Sequence, residues 1–332
     1  MRLFVILLLG ASLMGCHNLE TGSADLGAAP PTDEAQLFAP GVVNRGLPCR
    51  DISQTSDGDL MVWCELVGNF HRAVITEARR VDGKWGAPRV ASFSTNPRWK
   101  NFEPAFSRDG RRLFFVSDRP LTGEGPPEEV SNIWVVHRTA NGWGEPTPLP
   151  EAVNEGDTFF PSLTNDGTLY LTRDLDGGES AIFRSRLVDG QYQKVERLPE
   201  QVNAGRTRFN AMVDANERFL IVPVFGMADT RGGVDYYLVA RNPDDTWNDP
   251  VNMGDLVNSV ARQEWSPWLA PDGSAFFFMS DRPDNSLVEF NPLTREGLRE
   301  LHNTSGCGQM GIWWVDAHAV DVLRPYLDGG PG

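Results

Sequence analysis

EPAFSRDGRRLFFVSDRP (Glu103–Pro120) and SPWLAPDGSAFFFMSDRP (Ser266–Pro283) are two versions of one phrase. In each, an apolar strand led by proline meets Asp-Gly, and a second apolar strand runs out to Ser-Asp-Arg-Pro. Asp-Gly between two such strands is a strong hairpin signal, because both turn positions need positive φ and these residues tolerate it. The turn recurs at Asp57-Gly58, Asp109-Gly110, Asp166-Gly167 and Asp272-Gly273, and Asn216-Glu217 fills the same slot in VDANERFLIV. The spacing is about 54 residues, and the strands leaving the turns read LMVW, LFFV, LYL, FLIV and FFFM.

Two more elements follow each hairpin. One reads AVIT, IWVV, IFRS, YYLV and IWWV; the other places Trp85, Trp143, Tyr192 and Trp247 at equivalent points. The unit then ends in Val-Asn: PEAVN to Asn154, PEQVN to Asn203 and GDLVN to Asn258, with a degenerate SFSTN to Asn96. Four short strands per unit is the anatomy of a propeller blade. One copy of the signature, PGVVN to Asn44, precedes the first hairpin, while the fifth unit stops after its third strand, Gly311 to about Val320. The chain therefore starts with the strand its last blade lacks, which closes a ring and leaves no open junction. The expectation is all-β: one propeller of five four-stranded blades over 37–320, closed by an outer strand at about Leu37 to Val43.

The pattern Pro-x-x-Ser-x-Asp-Gly-x-x-Leu-x-Phe-x-Ser-x-Arg resembles the TolB-like (WD-like) propeller repeat of bacterial envelope proteins. The resemblance covers nearly all of the mature chain and is closest in blades two and five. It implies the fold; fold alone assigns no function.

The ends carry the address. Arg2 and the short apolar run FVILLLG read as a signal peptide over 1–16, too short to span a bilayer. Its end, Leu13-Met14-Gly15-Cys16, resembles a lipobox, which implies lipidation of Cys16 and a mature N-terminus there. His17 is not the aspartate that, by the same resemblance, retains lipoproteins in the inner membrane, so the outer membrane is favoured. Residues 17–36 are polar and aperiodic and read as a tether, and 321–332 as a C-terminal tail. The formal charge of −15, from 45 acidic and 30 basic residues, argues against a nucleic-acid backbone as partner.

Little in the sequence is overtly chemical. The histidines (His17, His71, His137, His302, His318) are not at metal-ligand spacing, there is no Gly-x-Ser-x-Gly elbow, and no metal or cofactor is implied. DLDGGES from Asp174 reads as a plain loop. In a four-stranded meander the starts of the first strands and the ends of the second strands share one face. That places Asp51, Asn101, Glu103, Asp157, Arg208, Asn210, Glu264 and Ser266 around the channel mouth, joined by Arg119 and Arg282. This polar rim is the candidate binding site; Phe102, Phe159, Phe209 and Trp265 read as core between blades, and Trp268 as a plug or gap filler. The leading function is a non-enzymatic envelope lipoprotein binding a protein, peptide or glycan. The alternatives are a carbohydrate-active enzyme using carboxylates around the axis and a purely structural role. Cys49 and Cys64 sit across one hairpin and are expected to form a disulfide, with Cys307 as rival partner.

Overall fold

The computed structural model describes residues 31–140, 142–284 and 293–328. Among the described residues, five antiparallel sheets are arranged as a ring of blades, and a sixth, two-stranded sheet pairs Leu187–Val188 with Gln191–Tyr192. Blade one is Cys49–Gln54, Leu60–Val67, Arg72–Val81 and Arg89–Val90, and blade two is Asn101–Phe106, Arg112–Ser117, Asn132–Thr139 and Thr147–Pro148. Blade three is Thr158–Leu163, Leu169–Leu175, Glu179–Ser185 and Glu196–Arg197. Blade four has a split inner strand, Thr207–Arg208 and Met212–Val213, then Phe219–Phe225, Val234–Ala240 and Val251–Asn252. Blade five is Glu264–Leu269, Ala275–Ser280 and Gly311–Asp316, and its outer strand is Gln36–Leu37 from the other end of the chain.

Alternation along the strands gives each blade two apolar faces, so the core lies between blades. Each interface has its own cluster, including Leu60, Val62, Phe115 and Trp134 between blades one and two, and Tyr170, Val222, Tyr237 and Trp247 between three and four. Blades five and one are packed in the same way, with Phe38, Phe277 and Ile312 meeting Cys49, Met61 and Trp63. Trp313 faces blade four and Trp314 the blade-one side, so both faces of that strand are covered.

The Val-Asn signature acts as a clamp. Asn154 takes the Ile133 N–H on Oδ1 at 2.9 Å and returns Nδ2 to the Ile133 carbonyl at 3.0 Å. Asn203 does this to Ile182 and Asn258 to Tyr236, each fixing the third strand of its own blade. Asn44 clamps Ile312 of blade five, 268 residues away, with bonds of 3.1 and 2.9 Å. The displaced signature therefore belongs to the last blade, and the ring is closed. In blade one the clamp is Ser94, whose Oγ accepts from Ile75 N–H, and the expected Asn96 is exposed and only accepts from Arg98 N–H. The closing strand is also shorter than expected: Ala39 turns at φ 42° and Pro40 has no N–H to donate.

The long insertion of blade five contains a helix, Arg295–His302, capped by Thr294, and beyond it the Ser305 hydroxyl donates to the Asn44 carbonyl on the loop entering blade one. The described part of the C-terminal segment, 321–328, packs on blade four: Leu323 is fully buried and the Tyr326 ring lies tilted against Phe219, centroids 4.8 Å apart. Cys16 and most of the tether lie outside the described residues.

Candidate functional site: the axial cavity

Every inner strand carries one extra residue. The ladders to the second strands slip between Arg50 and Ser53, Phe102 and Ala105, Phe159 and Ser162, and Trp265 and Trp268, and blade four breaks between Arg208 and Met212. In each bulge one non-glycine residue is left-handed: Asp51 (φ 58°), Glu103 (52°), Phe160 (50°), Asn210 (52°) and Ser266 (57°). Such a conformation costs on the order of 1–3 kcal/mol for each residue. It breaks the period-2 alternation and turns these side chains on one another across the axis.

Four of the five are joined in a polar arc. Arg50 Nε donates to Asp51 Oδ1 at 2.7 Å and its Nη2 to Glu103 Oε1 at 2.8 Å, and all three residues are buried. Glu103 Oε2 accepts the Phe160 N–H of blade three at 2.7 Å. Ser266 Oγ donates to Asp51 Oδ1 at 2.5 Å and accepts Asn210 Nδ2 at 3.4 Å. One guanidinium cannot neutralise two buried carboxylates. Burial therefore pushes the Glu103 carboxyl up to about 8, against the pull of Arg50 and with the help of Asp51.

This arc is the floor of a cavity of about 280 Å³. Its walls are Pro104, Pro161, Met212, Pro267 and Trp268, and its mouth is formed by Arg108, Asn216, Asp272 and Tyr326. The mouth residues belong to the hairpin turns and the C-terminal segment, so the cavity opens on the face opposite the one expected. Arg108 spans the mouth, with Nε on the Leu163 carbonyl at 2.9 Å and Nη2 on the Val213 carbonyl at 3.2 Å. On the other side of the floor Arg50 lies between Phe70 and Trp265, at 5.5 and 5.4 Å from the ring centroids. Phe102, Phe159, Phe209 and Trp265 are only half-buried there; Phe102 and Phe159 pack on the core of blades two and three, and Phe209 meets Trp265 edge-on. Trp268 is cavity wall rather than a plug, tilted against Phe277.

Of the expected rim, only Asp51, Glu103 and Ser266 line the cavity, with Asn210 adjoining Ser266. The rest brace individual blades. Arg119 folds back through Nε to Ser117 Oγ, reaches Asn101 Oδ1 at 2.6 Å, and stacks within 5.3 Å of Trp99, Phe115 and Trp134. Arg282 repeats this on Ser280, Glu264, Phe278 and Trp313. Asp118 and Asp281 accept backbone N–H groups from the incoming inner strands. The repeated Ser-Asp-Arg-Pro is thus a structural brace. Burial raises Glu264 to about 7, against the opposing pull of Arg282. Asp157 holds the Ser131 N–H, and Arg208 lines a separate, wider groove between blades three and four with Arg197 and Arg206.

Arg50, Arg108 and the wall apart from Trp268 do not stand out as site residues in the sequence. Arg50 had a signal, being the one cation in a column otherwise filled by Phe102, Phe159, Phe209 and Trp265. The expected disulfide is overturned. Cys49 pairs with Glu65 and Cys64 with Arg50, so the two thiols point to opposite faces of blade one, Cys49 toward blade five and Cys64 toward blade two. Both are free, as is Cys307.

No protein-family model and no curated protein matches the chain. Solved structures do. TolB from Acinetobacter baumannii aligns over 81% of this chain and 54% of its own, at 14% identity and a TM-score of 0.46. This chain thus spans about half the length of that TolB chain. A GH43 endo-arabinanase from Bacillus licheniformis aligns over 83% of this chain and 96% of its own, at 12% identity and a TM-score of 0.49. The catalytic domain of a GH62 α-L-arabinofuranosidase from Coprinopsis cinerea covers 86% and 97%, at 11% and 0.48. At these identities and TM-scores the likenesses assign no function to this chain.

Proposed function

We propose that the chain is a non-catalytic binding module whose axial cavity holds a group presented by a protein, peptide or glycan of the bacterial envelope. The same proposal includes a lipid tether through Cys16, with the outer membrane favoured. One observation supports binding over catalysis. Of the four carboxyl oxygens of Asp51 and Glu103, three are already occupied, and Asp51 Oδ2 alone has no partner among the described residues. Hydrolysis of a glycoside by two carboxyls needs both free to reach substrate, one as acid and the other as base or nucleophile.

A second reading, a glycosidase, draws on the raised Glu103 carboxyl, since a general acid must hold its proton near neutral pH. Its two oxygens face Arg50 and the Phe160 N–H instead of open space, which disfavours proton delivery. The test is a panel of envelope and plant glycans and envelope peptides, assayed for both binding and turnover with Glu103→Gln and Asp51→Asn alongside. Binding without turnover supports the module. Turnover lost in either variant, with folding intact, overturns it.

A further inference from the structure

The ring at the cavity floor is short of donors. Asp51 Oδ2 has no hydrogen-bond partner although the residue is only 4% exposed, and Asn210 Oδ1, also buried, has none. These two residues flank a single hydroxyl, Ser266 Oγ, whose proton goes to Asp51 Oδ1. Arg50, the one cation in contact with Asp51, is shared with Glu103. A buried acceptor is costly unless something donates to it. Above the floor the wall is apolar, through Pro161, Met212, Pro267 and Trp268.

We infer that the axial cavity takes a primary ammonium on an unbranched aliphatic stem, its N–H groups on Asp51 Oδ2 and its stem against Trp268 and Met212. This rests on the cavity being the binding site. A lysine side chain and a free alkylamine share this chemistry. An ammonium brings three donors to a floor with two unpartnered acceptors, whereas an alcohol brings one. A guanidinium is a poorer match, because its planar fork wants two oxygens of one carboxylate and only one is unpartnered here. The formal charge of −15 also raises the local concentration of any cation.

The experiment is calorimetric titration of the full-length chain with 1-aminopentane, with 1-pentanol, and with an N-acetylated peptide carrying one central lysine or norleucine in its place. Aminopentane is expected to bind at least tenfold more tightly than pentanol, and the lysine peptide at least tenfold more tightly than its norleucine twin if the source is a protein segment. Free amine binding with no response to the lysine peptide assigns the site to small amines. Asp51→Asn should weaken the amine at least tenfold and leave pentanol unchanged; if that variant does not fold, Trp268→Ala should weaken both amine and pentanol. Equal affinity for amine and alcohol, or no binding of any amine, overturns the inference. Should a peptide or glycan without an amine occupy the cavity in either case, the proposed function stands without it.

Discussion

Replacing Asn44 with alanine should loosen the ring where its two ends meet. In the structure Asn44 Nδ2 donates to the Phe38 and Ile312 carbonyls, and its Oδ1 accepts from the Ile312 N–H and the Cys49 thiol. Three of these are ordinary buried hydrogen bonds, each contributing about 1 kcal/mol net. The Ile312 N–H, left without its clamp inside the core, adds roughly 1–3 kcal/mol. The variant should therefore lose roughly 4–6 kcal/mol, which for a slope of ~3 kcal/mol/M lowers the urea midpoint by over 1 M. Tryptophan fluorescence during urea unfolding reads this directly. Asn44→Ser restores one acceptor and should recover about a third of the loss, as Ser94 does the same task in blade one with a single bond. Ser94→Ala should cost about 1–2 kcal/mol, and Asn96→Ala, being exposed, less than about 0.5 kcal/mol. If Asn44→Ala behaves like Asn96→Ala, the closure does not hold the ring.

Glu103 gives a pH signature. Its folded pKa, about 8, lies above the unfolded value near 4.5, so the folded state binds the extra proton and stability falls as pH rises through that window. Thermal midpoints from pH 5 to 8 should slope downward, and Glu103→Gln should remove much of the slope, leaving the share owed to Glu264; a variant with the wild-type slope refutes this. Cys49 and Cys64 should be found reduced by non-reducing peptide mapping and should resist maleimide until unfolding, because burial pushes the Cys49 thiol up to about 12 and raises Cys64 as well. Half-exposed Cys307 should react in the native state, and a Cys49–Cys64 bridge would contradict the register of blade one. Cys16→Ser should move the protein from the membrane to the soluble fraction or leave it unprocessed, and unchanged fractionation would refute the tether.

The repeats were legible because every blade repeats its hairpin turn and four of the five repeat the Val-Asn clamp, so a displaced PGVVN could only complete the last blade. The site was less legible. A single extra residue in each inner strand turns Asp51 and Glu103 to the axis, whereas Asn101 and Glu264 stay within their blades, bonded to Arg119 and Arg282. No glycine marks that bulge; Glu103, Phe160 and Ser266 are not residues that advertise a left-handed backbone. The same one-residue sensitivity of strand register misplaced the disulfide, since a shift of one position moves a side chain to the opposite face. The open end of the channel was hidden for another reason: it depends on Arg108 and on the C-terminal segment packing beside the hairpins, contacts far apart in the chain.

The most direct test is a crystal of the propeller soaked in a mixture of envelope peptides and glycans, with the bound molecule located by difference density. Density is expected in the axial cavity, entering past Arg108 and reaching hydrogen-bond distance of Asp51 Oδ2. Density on the opposite face, beside Asn101 and Arg119 or Glu264 and Arg282, with the axial cavity holding only water, would contradict it.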